Sequence, residues 1–304
     1  MNHLLALLLL AVDCVARAWR IQLATWAAGG RRGGRGNALS FRDALRLNLY
    51  GEAASTLTPN RLGGEPARFL GMTWSGVRPV TALVGLGVEV AAEWPVFGLV
   101  IGALALHYIP DWGALASRWL GRNLARDLLS IELAALAVLL VIYGLQRLVR
   151  AGTIRHRVRR QWRVALAHVR RAPWWVLGAG ALLTVVSFAA RALILPALVW
   201  GHPAGPPFSV MFFGALALIH AALLLPLPSG GGGIEVAFLS GFAGDFGGRQ
   251  LVVLLLWRFY ATVLLTVLGV YLLVRTHGAA AAKELFTIGW LRRRPKGPEG
   301  APSP

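Results

Sequence analysis

The amino-acid sequence predicts an all-α polytopic membrane protein. Its 304 residues are 56% hydrophobic and only 14% charged, and the mean hydropathy is +0.60. This charge content is low, because about a quarter of the residues are charged in a typical soluble domain. Several apolar runs also exceed the roughly 18 to 20 residues that an α-helix needs to cross a bilayer.

Seven hydrophobic segments predict the order of the helices along the chain. They comprise residues 4–26, 46–58, 80–109, 128–149, 174–200, 208–227 and 250–274. The five segments other than 46–58 and 208–227 are each long enough to cross the bilayer alone. The second and the sixth segments end at proline and glycine residues and are followed by short mixed stretches. We expect each of these two to be one arm of a broken, re-entrant helix.

The positive charge of the chain lies beside its apolar segments. The formal net charge is +18, and nine arginines without any acidic residue fall between Arg147 and Arg171. Basic residues next to membrane spans are typical of cytoplasmic loops that face anionic lipid head groups. We therefore expect the linker 150–171 and the C-terminus to be cytoplasmic. The same distribution argues against nucleic acid as the partner, although a pI near 11.7 would suit one.

The two broken segments repeat one layout, and this repetition predicts two related, inverted halves. Pro59 precedes Glu65 by six residues, and Pro228 precedes Glu235 by seven. With the basic loops in the cytoplasm, the first break lies on the inner side of the membrane and the second on the outer side. Paired interrupted helices in corresponding positions of two halves are typical of a transport site near the membrane midplane.

The same pattern predicts one integral membrane domain over residues 1–290. Its halves would cover about 1–149 and 172–277, joined by the basic linker 150–171. Residues 291–304 are rich in proline, glycine and basic residues, so we expect them to form a disordered tail.

The first break, LTPNRLGGEPARF, combines turn-forming and charged residues. Gly63–Gly64 permits a tight turn, and Glu65 with Pro66 can start a helix, proline being suited to the first helical position. A helix start presents free N–H groups and a partial positive charge, which suit a phosphate. Arg61 and Arg68 add guanidinium donors that can bind phosphate oxygens in pairs.

The second break, LPLPSGGGGIEVAF, offers similar chemistry with different residues. Ser229 and Gly230–Gly233 provide backbone N–H groups before a helix that we expect to begin near Glu235. Irregular backbone at membrane depth is tolerated only where protein or a water-filled cavity satisfies its polar groups. Both breaks are therefore predicted either to line a polar cavity or to be ordinary loops between helices.

Ionisable residues inside the apolar spans need partners, because each costs several kcal/mol unless it is paired or hydrated. Glu89 and Glu93 are four residues apart, so they share one helix face. Arg258 lies within LLLWRFYATVLL, and Arg191 lies within SFAARALIL. We expect Arg258 to pair with Glu89 or Glu235, either in a transport site or as a purely structural ion pair.

The remaining polar residues in the spans predict local pairing rather than chemistry. Asp13 and Arg17, also four apart, are expected to pair with each other, and His220 to be a packed or hydrogen-bonded histidine. The single cysteine, Cys14, provides neither a disulfide nor a cysteine metal site. The sequence contains no cluster of His, Asp and Glu residues with the spacing of metal ligands, and no Ser-His-Asp arrangement can be identified. We therefore expect no metal, cofactor or catalytic residue.

Three stretches of the sequence carry a resemblance to a known family: NLYGEAASTLTPNRLGGEPARF, PLPSGGGGIEVAF and LLLWRFYATVL. They resemble the flippase-like family, which is the membrane region of lysylphosphatidylglycerol synthase and also occurs as free-standing proteins. The family's motif positions match Pro59, Asn60, Gly63, Gly64, Glu65, Arg68, Pro228, Gly230–Gly233, Glu235 and Arg258. One position departs from the family, because Val90 follows Glu89 where the family often carries an arginine.

The resemblance implies translocation of a phospholipid or a lipid-linked sugar across the cytoplasmic membrane of a prokaryote. The head group would pass through a polar cavity formed by the two breaks while the tails stay in the lipid. The implied head-group ligands are Asn60, Arg61, Gly63, Gly64, Glu65, Arg68, Ser229, Gly231, Gly232, Glu235 and Arg258. The implied charge partners are Glu89, Glu93 and Arg191. Of these, Arg61, Arg68 and Arg258 would contact a phosphate, and the partner would be an anionic or phosphate-bearing membrane lipid.

Two other functions remain open from the sequence. The chain could be a non-catalytic accessory or scaffold subunit, docking a partner synthase or glycosyltransferase through its basic linker. It could also be a membrane transferase acting on a lipid phosphate, although it has no obvious pair of metal-binding carboxylates. No acyltransferase-like domain follows the last span, so a transporter is expected rather than an aminoacyl-lipid synthase.

Overall fold

The computed structural model describes residues 2–29, 39–58, 61–108, 172–202, 204–222 and 228–286. Regular structure within these ranges is entirely helical, as the hydropathy pattern predicts. The predicted segment 128–149, the basic linker 150–171 and the tail 291–304 lie outside the described residues, as do Pro59 and Asn60.

Nine α-helices are numbered here in chain order within the described residues. They are α1 (His3–Gly29), α2 (Phe41–Leu57), α3 (Gly64–Trp74), α4 (Pro79–Tyr108), α5 (Trp174–Val199), α6 (Phe208–Ala221), α7 (Gly233–Gly241), α8 (Gln250–Arg258) and α9 (Leu264–Phe286). A π-helical segment, Phe259–Val263, joins α8 directly to α9.

Three stretches of helix are long and apolar enough to cross a membrane, counted over the described residues. They are α4, α5 and the continuous stretch Gln250–Ala279 that runs from α8 into α9. Helix α1 is 27 residues long, about 40 Å at the α-helical rise of 1.5 Å per residue. It differs from the three because Asp13, Arg17 and Arg20 interrupt its apolar character.

The chain divides into two compact units, residues 1–93 with 172–304, and residues 94–171. The described part of the second unit is the C-terminal part of α4. In the first unit, α1 packs against α5 and α2, and α2 packs against α3 and α9. The division into sequence halves at the basic linker stays a prediction.

Helices α2 and α9 approach each other closely through a glycine. A Cβ atom built on Gly269 would collide with the carbonyl oxygen of Leu49 and would lie 2.9 Å from the Cβ of Ala53. Small residues at such contacts let helix backbones come together in membrane proteins. The position therefore requires glycine for packing.

The first break is a tight connection in which α3 folds back onto α2. The Thr58 hydroxyl donates to the Ala54 carbonyl oxygen at 2.7 Å and accepts from the Gly63 N–H at 2.8 Å. Gly63 has an ordinary φ of −74°, whereas Arg61 takes the left-handed φ of 58°. A Cβ on Gly63 would lie 2.8 Å from the Thr58 side chain, so this glycine serves close approach rather than a left-handed turn.

The start of α3 corrects one sequence prediction. Pro66 was expected at the first helical position, but α3 begins at Gly64, so the proline is its third residue. Proline is tolerated at this third position because the N–H groups of the first helical turn have no intrahelical partner.

The second break uses its glycines for backbone conformation. Gly230 and Gly232 have φ values of 68° and 79°, in the left-handed region that side chains with a Cβ rarely adopt. Helix α7 then begins at Gly233, two residues before Glu235, close to the predicted start. Ser229 lies in the short 3₁₀ turn Pro228–Gly230 that precedes α7.

His220 near the end of α6 is a packed histidine, as predicted. Its Nδ1–H donates to the Leu216 carbonyl oxygen at 2.7 Å. Its ring stands edge-on to Phe188 with the centroids 4.9 Å apart.

Candidate functional site

Four buried ionisable residues and the partly buried Arg61 join α1, α2, α5 and the first break, and are called the Glu52 cluster. Asp13 accepts hydrogen bonds from Arg17 Nε at 2.8 Å and from Arg191 Nη2 at 2.6 Å. Glu52 pairs with Arg17, with Arg191 Nη1 at 3.2 Å and with Arg61 Nη2 at 3.2 Å. Asp13 is completely buried and Glu52 is 4% exposed, so these pairs hold charges that would otherwise be costly.

A second group, the Glu89 cluster, joins α1, α3 and α4. Glu89 Oε1 accepts from Arg20 Nη2 at 2.8 Å and from Arg68 Nη1 at 3.0 Å. Arg20 also pairs with Glu93 at 3.0 Å, and Arg68 with Glu65 at 3.2 Å. The cations of this cluster are almost fully buried, whereas the side chains of Glu65 and Glu93 are 53% and 35% exposed.

Arg258 and Glu235 form a third ion pair in the second half of the chain. Arg258 Nη2 lies 2.8 Å from Glu235 Oε1, which confirms one of the two predicted pairings. The other predicted partner, Glu89, instead accepts from Arg20 and Arg68. The guanidinium groups that pair with Glu89 thus come from α1 and α3. Glu89 therefore has two cationic partners although Val90 occupies the position where the family often carries an arginine.

The ion pairs follow from helical spacing on α1. Asp13, Arg17 and Arg20 are spaced by four and three residues, so they lie along one face of the helix. The predicted pairing of Asp13 with Arg17 is confirmed, but sequence reasoning missed Arg20 and Glu52. A signal existed for both, since Arg20 continues the charged face of α1 and Glu52 is an acid inside the apolar segment 46–58.

A small cleft lies beside the Glu52 cluster and the Arg258–Glu235 pair. Its lining residues are Arg61, Arg191, Leu218, Ile219, Ala222, Trp257, Arg258, Ala261 and Thr262. Three guanidinium groups from the first break, α5 and α8 thus share one cleft with apolar side chains. Arg68, a predicted phosphate contact, belongs to the Glu89 cluster instead, while Arg191, predicted only as a charge partner, lines the cleft.

The two clusters carry opposite local charge. In the Glu52 cluster three guanidinium groups face two carboxylates, an excess of one positive charge. In the Glu89 cluster two guanidinium groups face three carboxylates, two of which are partly exposed to the surroundings. The cleft wall is therefore the electropositive side of the network. An excess of positive charge favours an anion over a cation.

Two buried polar atoms near the cleft lack a hydrogen-bond partner among the described residues. Trp257 is 2% exposed and lines the cleft, and its indole Nε1–H is one of them. The second is Glu235 Oε2, the oxygen that does not pair with Arg258. A buried polar atom without a partner costs about 1–3 kcal/mol, so a ligand group that donates to Glu235 Oε2 or accepts from the Trp257 indole N–H would remove part of this cost.

Gly51 of α2 makes room for Arg68, which gives a first testable prediction. A Cβ at Gly51 would lie 2.6 Å from Arg68 Nε and 2.9 Å from its Cγ. Gly51→Ala should displace Arg68 from Glu89 and lower the stability by about 1–3 kcal/mol, as overpacking does. Thermal melting of the purified protein in detergent measures this loss.

The Arg68→Ala background provides the control for Gly51→Ala. With the long side chain removed, the added methyl group has space, so the cost of Gly51→Ala should shrink to near zero. Equal costs in the two backgrounds would show that Gly51 and Arg68 do not interact.

The comparison with protein families agrees with this architecture. Residues 2–269 match the family described as the lysylphosphatidylglycerol synthase TM region. A comparison with curated proteins gave no match. The family match covers all three sets of ion pairs and the cleft, and it confirms the resemblance drawn from the sequence motifs. The chain is a multi-pass membrane protein that belongs to the lysylphosphatidylglycerol synthase TM region family.

Proposed function

We propose that this protein moves an anionic lipid from one leaflet of the cytoplasmic membrane to the other. The head group would enter the cleft between the first break and the second half of the chain. The acyl or prenyl chains would remain in the surrounding lipid. The protein would act as a transporter, without a covalent step.

The observation that carries this proposal is the composition of the cleft. Arg61, Arg191 and Arg258 place three guanidinium groups in it, and guanidinium is the preferred partner of phosphate oxygens. The same cleft is lined by apolar residues, among them Leu218, Ile219 and Ala261. Polar and apolar walls side by side suit an amphipathic ligand, in which a charged group adjoins a hydrocarbon chain.

The two breaks support a path for the head group. Each break is followed by a second, shorter helix, so that α2 is followed by α3 and α6 by α7. We propose that both are re-entrant and lie in inverted halves, the first open to the cytoplasm and the second to the outside. Alternating exposure of the cleft to the two sides would then carry the head group across.

Reconstitution into liposomes tests the proposal. Fluorescent phosphatidylglycerol would be placed in both leaflets, and a membrane-impermeant reductant would report how fast inner-leaflet lipid reaches the outer leaflet. Arg258→Gln should slow this transfer by about tenfold or more, because losing a desolvated charge contact costs 2 kcal/mol or more. Arg275→Gln is the matched control, since Arg275 is an exposed residue of α9 that does not line the cleft.

The control variant should transfer lipid at the wild-type rate. Equal slowing by both substitutions would contradict the role of the cleft. Absence of transfer by the wild type, tested with both phosphatidylglycerol and a polyprenyl phosphate, would favour the accessory-subunit alternative. Affinity capture of a partner synthase or glycosyltransferase would then be the next experiment.

A further inference from the structure

We infer that Glu52 competes with the anionic head group for Arg61, so that the head group binds by taking this arginine from Glu52. The inference rests on the proposed lipid transport and assigns to Glu52, which does not line the cleft, control over the affinity of the cleft. It follows from the way in which the cleft arginines are already paired.

Every arginine that lines the cleft has a carboxylate partner. The pairs are Arg61 with Glu52, Arg191 with Asp13 and Glu52, and Arg258 with Glu235. A phosphate that enters the cleft therefore meets three guanidinium groups that already pair with three carboxylates. It can bind one of them only by sharing or displacing a carboxylate, so the arginine that is released at the lowest cost binds it first.

Arg61 can leave Glu52 without leaving a buried charge unpaired. Its ion pair with Glu52 is its one ion pair among the described residues, and its side chain is 21% exposed. Glu52 keeps Arg17 and Arg191 as partners after Arg61 has moved. A phosphate oxygen would replace the carboxylate oxygen as the acceptor for Arg61, which stays protonated throughout.

The other two arginines of the cleft are held more firmly. Arg191 donates to Asp13 from Nε at 2.9 Å and from Nη2 at 2.6 Å, and its side chain is 3% exposed. Arg258 is the one ion-pair partner of Glu235 among the described residues. The release of either arginine would weaken or remove the pairing of a carboxylate, and an uncompensated charge away from water is costly.

The backbone at Arg61 also favours its release. Arg61 lies between the end of α2 and the start of α3, outside both helices, with the left-handed φ of 58°. Its N–H donates to the Thr58 carbonyl oxygen at 3.3 Å, a long hydrogen bond. Residues with a Cβ rarely adopt this conformation unless the surroundings hold it, and the pair with Glu52 is one of the contacts that hold it here.

Two arginine substitutions test whether Arg61 is the releasable one. Arg61→Gly fits the left-handed φ, so its melting temperature in detergent should stay close to that of the wild type, whereas Arg191→Gln should lower it strongly. Binding is followed by the rise in melting temperature as phosphatidylglycerol is added to the micelles. Arg61→Gly should weaken this binding by about tenfold, the effect of losing one charge-assisted contact. A fall in melting temperature as large as that of Arg191→Gln, or unchanged binding, would overturn the inference.

Glu52→Gln tests the competition itself. Removal of the competing charge should lower the melting temperature and yet strengthen phosphatidylglycerol binding by about threefold or more. A purely structural role for Glu52 would weaken both. In the Arg61→Gly background the gain should disappear, because no arginine is left to be exchanged. Weaker binding by Glu52→Gln, or an equal gain in both backgrounds, would overturn the inference, the latter by showing a general effect of the lost charge.

The binding measurements and the liposome assay separate this inference from the proposed transport. Lipid transfer by the wild type, with binding that does not respond to Glu52→Gln, would overturn the competition and leave the transport intact. The predicted changes in binding without any lipid transfer would support the competition and contradict the transport. If Glu52→Gln does not fold, the stability and binding of Arg61→Gly still decide the inference.

Discussion

Asp13→Asn is expected to destabilise the protein by about 3–5 kcal/mol, the usual cost of removing one partner from a buried ion pair. Asp13 is completely buried and holds both Arg17 and Arg191. Without its charge, three guanidinium groups of the Glu52 cluster would face the single carboxylate of Glu52. Thermal unfolding in detergent, followed by size-exclusion chromatography after heating, measures the effect.

Two variants distinguish charge balance from loss of a hydrogen bond. Asp13→Asn combined with Arg17→Gln returns the cluster to an excess of one positive charge, so part of the lost stability should come back. Asp43→Asn is the control for an exposed carboxylate, because Asp43 lies 3.5 Å from Arg46 with its side chain 36% exposed. Its cost should stay within about 1 kcal/mol. A double variant as unstable as the additive sum would contradict the charge argument.

Gly269→Ala is expected to cost about 1–3 kcal/mol or more, since overpacking at a helix contact forces the backbones apart. The clash is with the carbonyl oxygen of Leu49, which cannot rotate away as the end of a flexible side chain can. Separation of α2 and α9 would also weaken the hydrogen bond of 2.6 Å between the hydroxyl groups of Tyr50 and Thr276. The melting temperature should fall accordingly.

Gly178→Ala in α5 is the matched control for Gly269→Ala. No atom lies within 4 Å of a Cβ built on Gly178, and both glycines are in helices. The intrinsic gain from glycine to alanine, up to about 1 kcal/mol, should therefore appear at Gly178 without a steric cost. Equal stability of the two variants would show that α2 and α9 are not in close contact.

Local features were predictable because neighbouring residues produce them. The four-residue spacing of Asp13 and Arg17 sets their pairing on one helix, whatever surrounds it. The proline and glycine runs predicted breaks after the second and sixth segments, and α2 ends at Leu57 and α6 at Ala221. The structural role of each glycine could not be predicted, because both breaks contain similar glycine runs. Gly63 allows a close approach to Thr58, whereas Gly232 adopts a positive φ.

The ion pairs between helices were harder to predict because their partners are far apart in sequence. Arg191 and Glu52 are 139 positions apart, and Arg20 and Glu89 are 69 apart. Arg258 could be assigned two partners from its position in an apolar span, but only the packing of α7 against α8 places Glu235 beside it. Nothing in the spacing indicated that Glu52 would join three arginines.

The sequence by itself determined the helical membrane class, the family and the two interrupted segments. These depend on hydropathy, residue type and short motifs, all of which are properties of neighbouring residues. Only the tertiary structure decided which charges meet, and hence that Arg61, Arg191 and Arg258 share one cleft while Arg68 does not. The physical reason is that a buried charge takes whichever partner helix packing brings within a few ångströms, and helix packing is decided by contacts across the whole chain.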